Sequence, residues 1–285
     1  MERSLEGKVA LVTGASRGVG KGIAIGLGEA GAEVWLTART LSAASPAPDA
    51  AAIAAPGSLE ETAREVEAAG GTAVAIACDV VDDEQIERLF ARLAAERPRL
   101  DVLVNAAWGG YEAMVEEGEF TWTKPFWEQP LHRWSAMFDA GVRASFACSR
   151  LAARRMIAQG GGLIVNVSFW AARKYMGNVL YGAAKCATDR LTADMAHELR
   201  GTGVTVVSLY PGLVRTEKVL EAAAFLDLSN SESPRFIGRA VASLAADSGV
   251  DARSGAALVA AALGREYGFG DVDGRQPKPL TLETA

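Results

Sequence analysis

The chain has 285 residues, 49% of them hydrophobic, and a formal net charge of −6 from 29 basic and 35 acidic side chains. That is enough apolar material for one large α/β domain over 1–285, and a mildly acidic, evenly mixed surface argues against nucleic acid as a partner. No apolar run reaches the roughly 18 residues of a membrane helix, and Cys78, Cys148 and Cys186 are too scattered for a metal site or a disulfide framework. The expectation is therefore no membrane partner, no metal and three buried thiols. The opening MERSLEGK lacks the apolar stretch of a secretory signal, so the expected location is cytoplasmic.

The first recognisable unit is KVALVTGASRGVG, Lys8 to Gly20. Val9 to Val12 read as a buried strand, and Gly14, Gly18 and Gly20 form a turn into a helix over 19–30. A strand, a glycine turn and a helix N-terminus suit a phosphate, because the backbone can approach closely and unpaired N–H groups point at the anion. A tight turn without a ligand would need the same glycines. Thr13 and Ser16 add hydroxyls, and Arg17 a fixed charge. Gly22, Gly26 and Gly28 inside the helix should each cost about 1 kcal/mol against alanine, which suggests a helix pressed close to a sheet. Glu33 to Ala38 is the second strand. Arg39 follows where an acidic residue would suit the ribose of NAD, and an arginine suits a 2′-phosphate. Arg17 and Arg39 together favour NADP(H), with NAD(H) as the other possibility; a solvated loop charge is the alternative for Arg39.

Residues 41–58 form an Ala/Pro-rich insert, read as a surface loop. Ser58 with Glu61 caps a helix that ends at Gly70-Gly71. Thr72 to Cys78 is the third strand, with Asp79-Val80 at its end, and an acidic amphipathic helix follows over 82–96. Asp101 to Val104 is the fourth strand, followed by Asn105-Ala106-Ala107-Trp108. The loop 108–133 is rich in aromatics, which suit a pocket wall, a partner surface or core plugging. A long helix is expected from Trp134 to Gln159, a fifth strand over Leu163 to Val167 with Ser168 beyond it, a helix from Tyr181 to Arg200, and a sixth strand from Val204 to Tyr210. Pro211-Gly212 breaks the chain, residues 213–233 read as a lid with a short helix, 234–247 as helical, Ala256 to Ala260 as a seventh strand, and 264–285 as an extended tail. His132 and His197 are far apart and read as surface residues. Strands alternating with helices imply a doubly wound parallel sheet covered on both faces, a Rossmann fold whose ligand edge collects the residues just after the strands.

Tyr181 and Lys185 share a helix face one turn apart. A nearby ammonium stabilises a phenolate and makes the phenol a usable acid/base, with Ser168 offering a hydroxyl to the same oxygen. Packing and a solvated amine would explain the pair equally well in isolation. Taken together, Thr13-Gly14-x-x-x-Gly18-x-Gly20, Asp79, Asn105, Ser168, Tyr181-x-x-x-Lys185 and Pro211-Gly212-x-x-x-Thr216 resemble the short-chain dehydrogenase/reductase family over roughly residues 5–263. The resemblance implies an NADP-dependent carbonyl reductase or alcohol dehydrogenase. Tyr181 would be its acid/base, Ser168 would hold the substrate oxygen, and Lys185 would bond the nicotinamide ribose and depress the Tyr181 pKa. Gly14, Ser16, Arg17, Gly18, Val19 and Gly20 would cradle the diphosphate, and Arg39 the 2′-phosphate. Asp79 and Val80 would meet the adenine, Asn105 and Ala106 the adenosine ribose side, and Pro211, Gly212, Val214 and Thr216 the carboxamide. Trp108, Trp170 and Tyr175 would line a pocket for a small-molecule carbonyl or alcohol, and long helices would pair in a homodimer or homotetramer. The chain departs from the family in two places. Trp108 replaces a glycine, and Gly141 stands where the long helix usually carries an asparagine that organises a relay water. The second departure supports the alternative, a nucleotide-binding sensor or scaffold with weak or no catalysis.

Overall fold

The computed structural model describes residues 3–44, 56–112, 114–116 and 119–285, so most of the Ala/Pro-rich insert, 45–55, lies outside them. The first half contains β1 (Val9–Thr13), α1 (Gly18–Glu29), β2 (Glu33–Ala38), α2 (Leu59–Ala68), β3 (Thr72–Ala77), α3 (Asp83–Glu96) and β4 (Val102–Asn105). A small hairpin follows, β5 (Val115–Glu116) with β6 (Glu119–Phe120), then α4 (His132–Met137), a π-helical stretch (Phe138–Arg143) and α5 (Ala144–Ala158). The last third contains β7 (Gly162–Val167), α6 (Val179–Glu198), β8 (Val204–Tyr210), α7 (Glu217–Glu221), α8 (Pro234–Ala246), β9 (Ala257–Val259) and α9 (Ala260–Tyr267). Seven strands pair in the order β3-β2-β1-β4-β7-β8-β9, all parallel.

Parallel neighbours require crossovers, and the crossovers cover both faces of the sheet. Alternate side chains of β1 divide between the two cores. Ala10 and Val12 join Ile23 and Leu27 of α1 and Phe236 and Val241 of α8. Val9 and Leu11 join Ile86 and Leu93 of α3 and Cys148 and Met156 of α5. The chain leaves β1 for β2 on one side, and β4 flanks β1 on the other, so the strand order reverses at the β1–β4 edge. That is where open α/β sheets leave a crevice. No helix among the described residues is long and apolar enough to cross a membrane.

Several expectations are corrected. The glycine stripe of α1 meets another helix, not the sheet. A Cβ on Gly22 would lie 2.1 Å from the carbonyl carbon of Pro234, and one on Gly26 would lie 2.5 Å from that of Gly238, so α1 and α8 touch backbone to backbone. The 108–133 stretch holds the hairpin, and the long helix starts at His132, ahead of Trp134, and widens into a π turn. The segment 264–285 is not extended at its start: α9 runs to Tyr267 because Ala260, Ala261 and Leu263 give it an apolar face, and Phe269 packs on Phe236 with ring centroids 5.1 Å apart. Cys186 is exposed, whereas Cys78 and Cys148 are buried.

The α1–α8 contact can be tested against helix propensity. Gly→Ala in a free helix would stabilise by about 1 kcal/mol. At Gly22 the added methyl must instead force two backbones apart, so Gly22→Ala should destabilise by roughly 2–4 kcal/mol in urea unfolding.

Candidate functional site

The end of β1 is tied to the end of β4. The Thr13 hydroxyl accepts from the amides of Ala106 and Ala107, at 3.2 Å each. Gly14 then turns in the left-handed region (φ +68°), and a Cβ there would sit 2.7 Å from Ala107 Cα. A Cβ on Gly20 would lie 2.2 Å from the Gly14 carbonyl oxygen, so α1 starts directly against the turn. Thr62 of α2 steadies the loop by donating to Ala15 O at 2.9 Å. The amide of Gly18, the first residue of α1, points at a carboxylate: it donates to Glu217 at 3.0 and 3.3 Å. An anion at this helix N-terminus is what the site's geometry and dipole favour, and a diphosphate satisfies the same demand.

The two arginines singled out in the sequence come to the same mouth. Arg17 donates to Thr40 Oγ1 at 3.3 Å and to Gly57 O at 3.2 Å. Its Nε is buried with no hydrogen-bond partner among the described residues. Burial lowers the Arg17 pKa, Glu217 opposes that shift, and Arg39 adds to it. Arg39 pairs with Glu112. Asp79, just beyond β3, accepts from the Val81 amide at 3.2 Å, with Val80 buried beside it.

Asn105 departs from its expected role. It is buried, and its amide donates inward to Ser149 Oγ (3.0 Å) and Asn166 Oδ1 (2.8 Å). Asn166 continues to Thr192, which also accepts from Ser208. The side chain therefore ties strand ends together under the site and does not project from it; its Oδ1 alone has no partner among the described residues.

Asn178 starts α6 by accepting from the Tyr181 amide at 3.0 Å, and its own amide donates to Trp122 O at 2.9 Å. This fixes the turn that carries Tyr181 and anchors the aromatic segment to it. Tyr181 and Lys185 are both buried on one face of α6, and Ser168, one residue past β7, donates to the Lys185 carbonyl at 3.4 Å. The expected lowering of the Tyr181 pKa is not found. Tyr181 is packed against Trp108 (5.7 Å between centroids) and Trp122 (5.4 Å), and burial pushes its phenol well above the usual range. Lys185 gives little relief: its ammonium donates to Val167 O at 3.1 Å and lies 4.0 Å from the Trp108 ring centroid. Burial pushes Lys185 down to about 8, against the pull of Asp189. The Tyr181 hydroxyl instead meets that of Tyr111 at 3.4 Å.

The two departures noted in the sequence turn out to be one feature. A Cβ on Gly141 would lie 2.7 Å from the Trp108 ring, so the indole fills the space that a larger residue at 141 would use. Trp108 thus packs between Gly141 and the Tyr181–Lys185 pair. Trp170 packs edge-on against Tyr210 at 5.2 Å, and Tyr175 is 70% exposed, so neither shares the Tyr181 cluster. Beyond β8, Gly212 donates to Glu232 at 2.7 Å, and Val214 pairs with Glu232 through the backbone, while Thr216 caps α7. Glu112, Glu217 and Glu232 escaped the sequence reading, whereas Tyr111 and Trp122 belong to the aromatic loop it singled out; Asn178, three residues before Tyr181 at a helix start, carried a visible capping signal.

The pattern of the short chain dehydrogenase family matches residues 8–225. The Mus musculus protein dehydrogenase/reductase SDR family member 1 is 40% identical, over 98% of this chain and 87% of its own. A solved short chain dehydrogenase from Mycobacterium thermoresistibile superposes with a TM-score of 0.78 at 25% identity, covering 98% of this chain and 93% of that one. A Beutenbergia cavernae chain solved with NADP bound at low occupancy is 30% identical, with a TM-score of 0.70 and coverage of 91% and 97%.

Glu232 gives this region a signature in solution. Burial, with Asp271 nearby, raises its carboxyl from 4.5 to about 7, against the Gly212 hydrogen bond and Arg215. The folded state thus holds this proton more tightly than the unfolded chain, so stability falls as pH rises from about 4.5 through about 7. Glu232→Gln should abolish that slope. Thermal or urea unfolding should show the variant gaining on the native chain between pH 5 and 8, by up to roughly 3 kcal/mol.

Proposed function

The chain belongs to the short-chain dehydrogenase family, and from that premise we propose that it is an NADP(H)-dependent oxidoreductase that interconverts a carbonyl and a secondary alcohol, with Tyr181 as general acid/base. The observation that carries this reading is the convergence of Ser168, Tyr181 and Lys185 on the same sheet edge as the glycine turn. The carboxylate already seated at Gly18 supports a phosphate site there. Arg17 and Arg39 at the same mouth support the 2′-phosphate. A bound nicotinamide would supply or accept the hydride.

The protein's own part is position and protonation. Gly14, Ser16, Gly18, Val19 and Gly20 would hold the diphosphate, Asp79 and Val80 the adenine, and Ala106 the adenosine ribose side. Pro211, Gly212, Val214 and Thr216 would hold the carboxamide. Ser168 holds the substrate oxygen, and Tyr181 passes a proton to it. The Tyr181 phenol carries its proton at neutral pH and can give it in the direction of carbonyl reduction, while burial makes it a weaker acid than a free phenol. Acting as a base requires the Lys185 ammonium to turn from the Trp108 face toward the phenol. Rings of Trp108, Tyr111, Trp122 and Phe169 around Tyr181 favour an apolar or bulky ketone. The alternative, a nucleotide-binding sensor with weak or no catalysis, draws on the same indole over Lys185; nucleotide binding without turnover over a broad ketone panel would favour it.

We place this enzyme in the cytoplasm as a homodimer or homotetramer. Exposed apolar Trp134, Phe146 and Val179 on α4, α5 and α6 support an interface that uses these helices. Light scattering at micromolar protein should then give a multiple of the chain mass, and a monomer mass would refute it.

Two substitutions test the site itself. Tyr181→Phe should lower kcat in NADPH-dependent ketone reduction by roughly 10²–10⁴-fold while NADPH binding is retained. Arg39→Ala should weaken NADPH about tenfold in a fluorescence titration and leave NADH nearly unchanged. Equal affinities of the native chain for the two nucleotides would overturn the NADP(H) assignment.

A further inference from the structure

The groups that would receive a dinucleotide already have partners from this chain, and two of those partners are carboxylates. Both oxygens of Glu217 lie within 3.3 Å of the Gly18 amide nitrogen at the start of α1. Glu112 holds the Arg39 guanidinium, in a pair whose side chains are only 23% and 29% exposed, respectively. Arg17 lies within the electrostatic reach of Arg39, Glu112 and Glu217 alike, so two positive and two negative groups gather at one mouth.

The two carboxylates stand in for different parts of a nucleotide. An anion on the N-terminus of α1 competes with a diphosphate, which NADP(H) and NAD(H) share. An anion on Arg39 competes with a 2′-phosphate, which only NADP(H) carries. A ribose diol can sit beside an intact Arg39–Glu112 pair, whereas a phosphate brings a second anion to the same guanidinium and must drive the first one off. The partial burial of the pair screens this repulsion less than at an open surface.

Glu112 is also joined to the catalytic end. It closes the short segment 108–112 that lays the Trp108 indole over Lys185 at 4.0 Å and brings the Tyr111 hydroxyl to Tyr181 at 3.4 Å. Loss of the Arg39–Glu112 pair therefore releases one anchor of the segment that covers the acid/base pair.

We propose that Glu112 is a cofactor-selectivity residue, opposing the 2′-phosphate at Arg39, and that Glu217 is an internal anion opposing the diphosphate of either nucleotide. This rests on the nucleotide reading above. The native preference for NADP(H) is accordingly narrower than Arg17 and Arg39 would give by themselves, and Glu112 is a carboxylate that narrows it.

The test is a fluorescence titration of the full chain with NADPH and, separately, NADH at low ionic strength, for the native protein, Glu112→Gln, Glu112→Ala and Glu217→Gln. Glu112→Gln and Glu112→Ala should tighten NADPH about tenfold and move NADH less than twofold. Glu217→Gln should tighten both nucleotides by similar factors. If native protein binds NADPH and both Glu112 variants leave it unchanged or weaken it, the selectivity role is overturned while the cofactor reading stands. If Glu112→Gln shifts both nucleotides equally, Glu112 acts on the loop and not on the 2′-phosphate, which also overturns it. If the native chain binds neither nucleotide, the cofactor reading fails, and this inference falls with it.

Discussion

Thr13, Asn105, Asn166 and Ser208 stand side by side at the ends of β1, β4, β7 and β8, paired in register across the sheet. Their side chains are buried; Thr13 bonds to the segment after β4, Asn105 to Asn166, and Asn166 and Ser208 both to Thr192 of α6. A slip of one residue along any of these strands would strand several buried polar atoms without partners, at roughly 1–3 kcal/mol each. The polar row therefore holds the strand ends flush. On that flush edge are mounted the glycine turn after β1, the Ala106–Trp108 segment after β4, Ser168 after β7 and Pro211 after β8.

Above that edge, the site is built from groups whose demands conflict. A helix N-terminus and two arginines call for anions, and two glutamates meet that call. A buried ammonium calls for a hydrogen-bond acceptor and a negative face, and Val167 O with the Trp108 ring supplies both. A buried phenol finds a second phenol. Each internal contact lowers the cost of burying a polar group, and each must be exchanged for a ligand contact if the site is to bind and react. Selectivity in such a site depends on what the ligand displaces as much as on what it gains.

Trp108 and Gly141 show how two local departures can form one structural choice. An indole fills the volume beside a helix whose backbone has widened into a π turn, and only glycine leaves that volume open. Either substitution alone would leave a void or a clash. The polar function that a larger residue at 141 would bring to the site has no room here, and Tyr181 meets the hydroxyl of Tyr111 instead.

The sequence by itself determined the alternation of strands and helices, the parallel sheet, the glycine turn and the spacing of Ser168, Tyr181 and Lys185, because these follow from local periodicity, turn chemistry and short-range geometry; the β5–β6 hairpin and α9 it did not. Glu33–Ala38 and Val204–Tyr210 are strands with the bounds that their apolar runs suggest. Tertiary structure alone decided where the side chains spend their bonding capacity. Asn105 turned inward because the neighbouring strand β7 offered Asn166 and helix α5 offered Ser149. The glycines of α1 met Pro234 and Gly238, residues more than 200 positions away. Glu112 and Glu217 reached Arg39 and the Gly18 amide because loops distant in sequence close over the same edge. Charges and rings act through space over a few ångströms, and no spacing along the chain encodes which of them will meet.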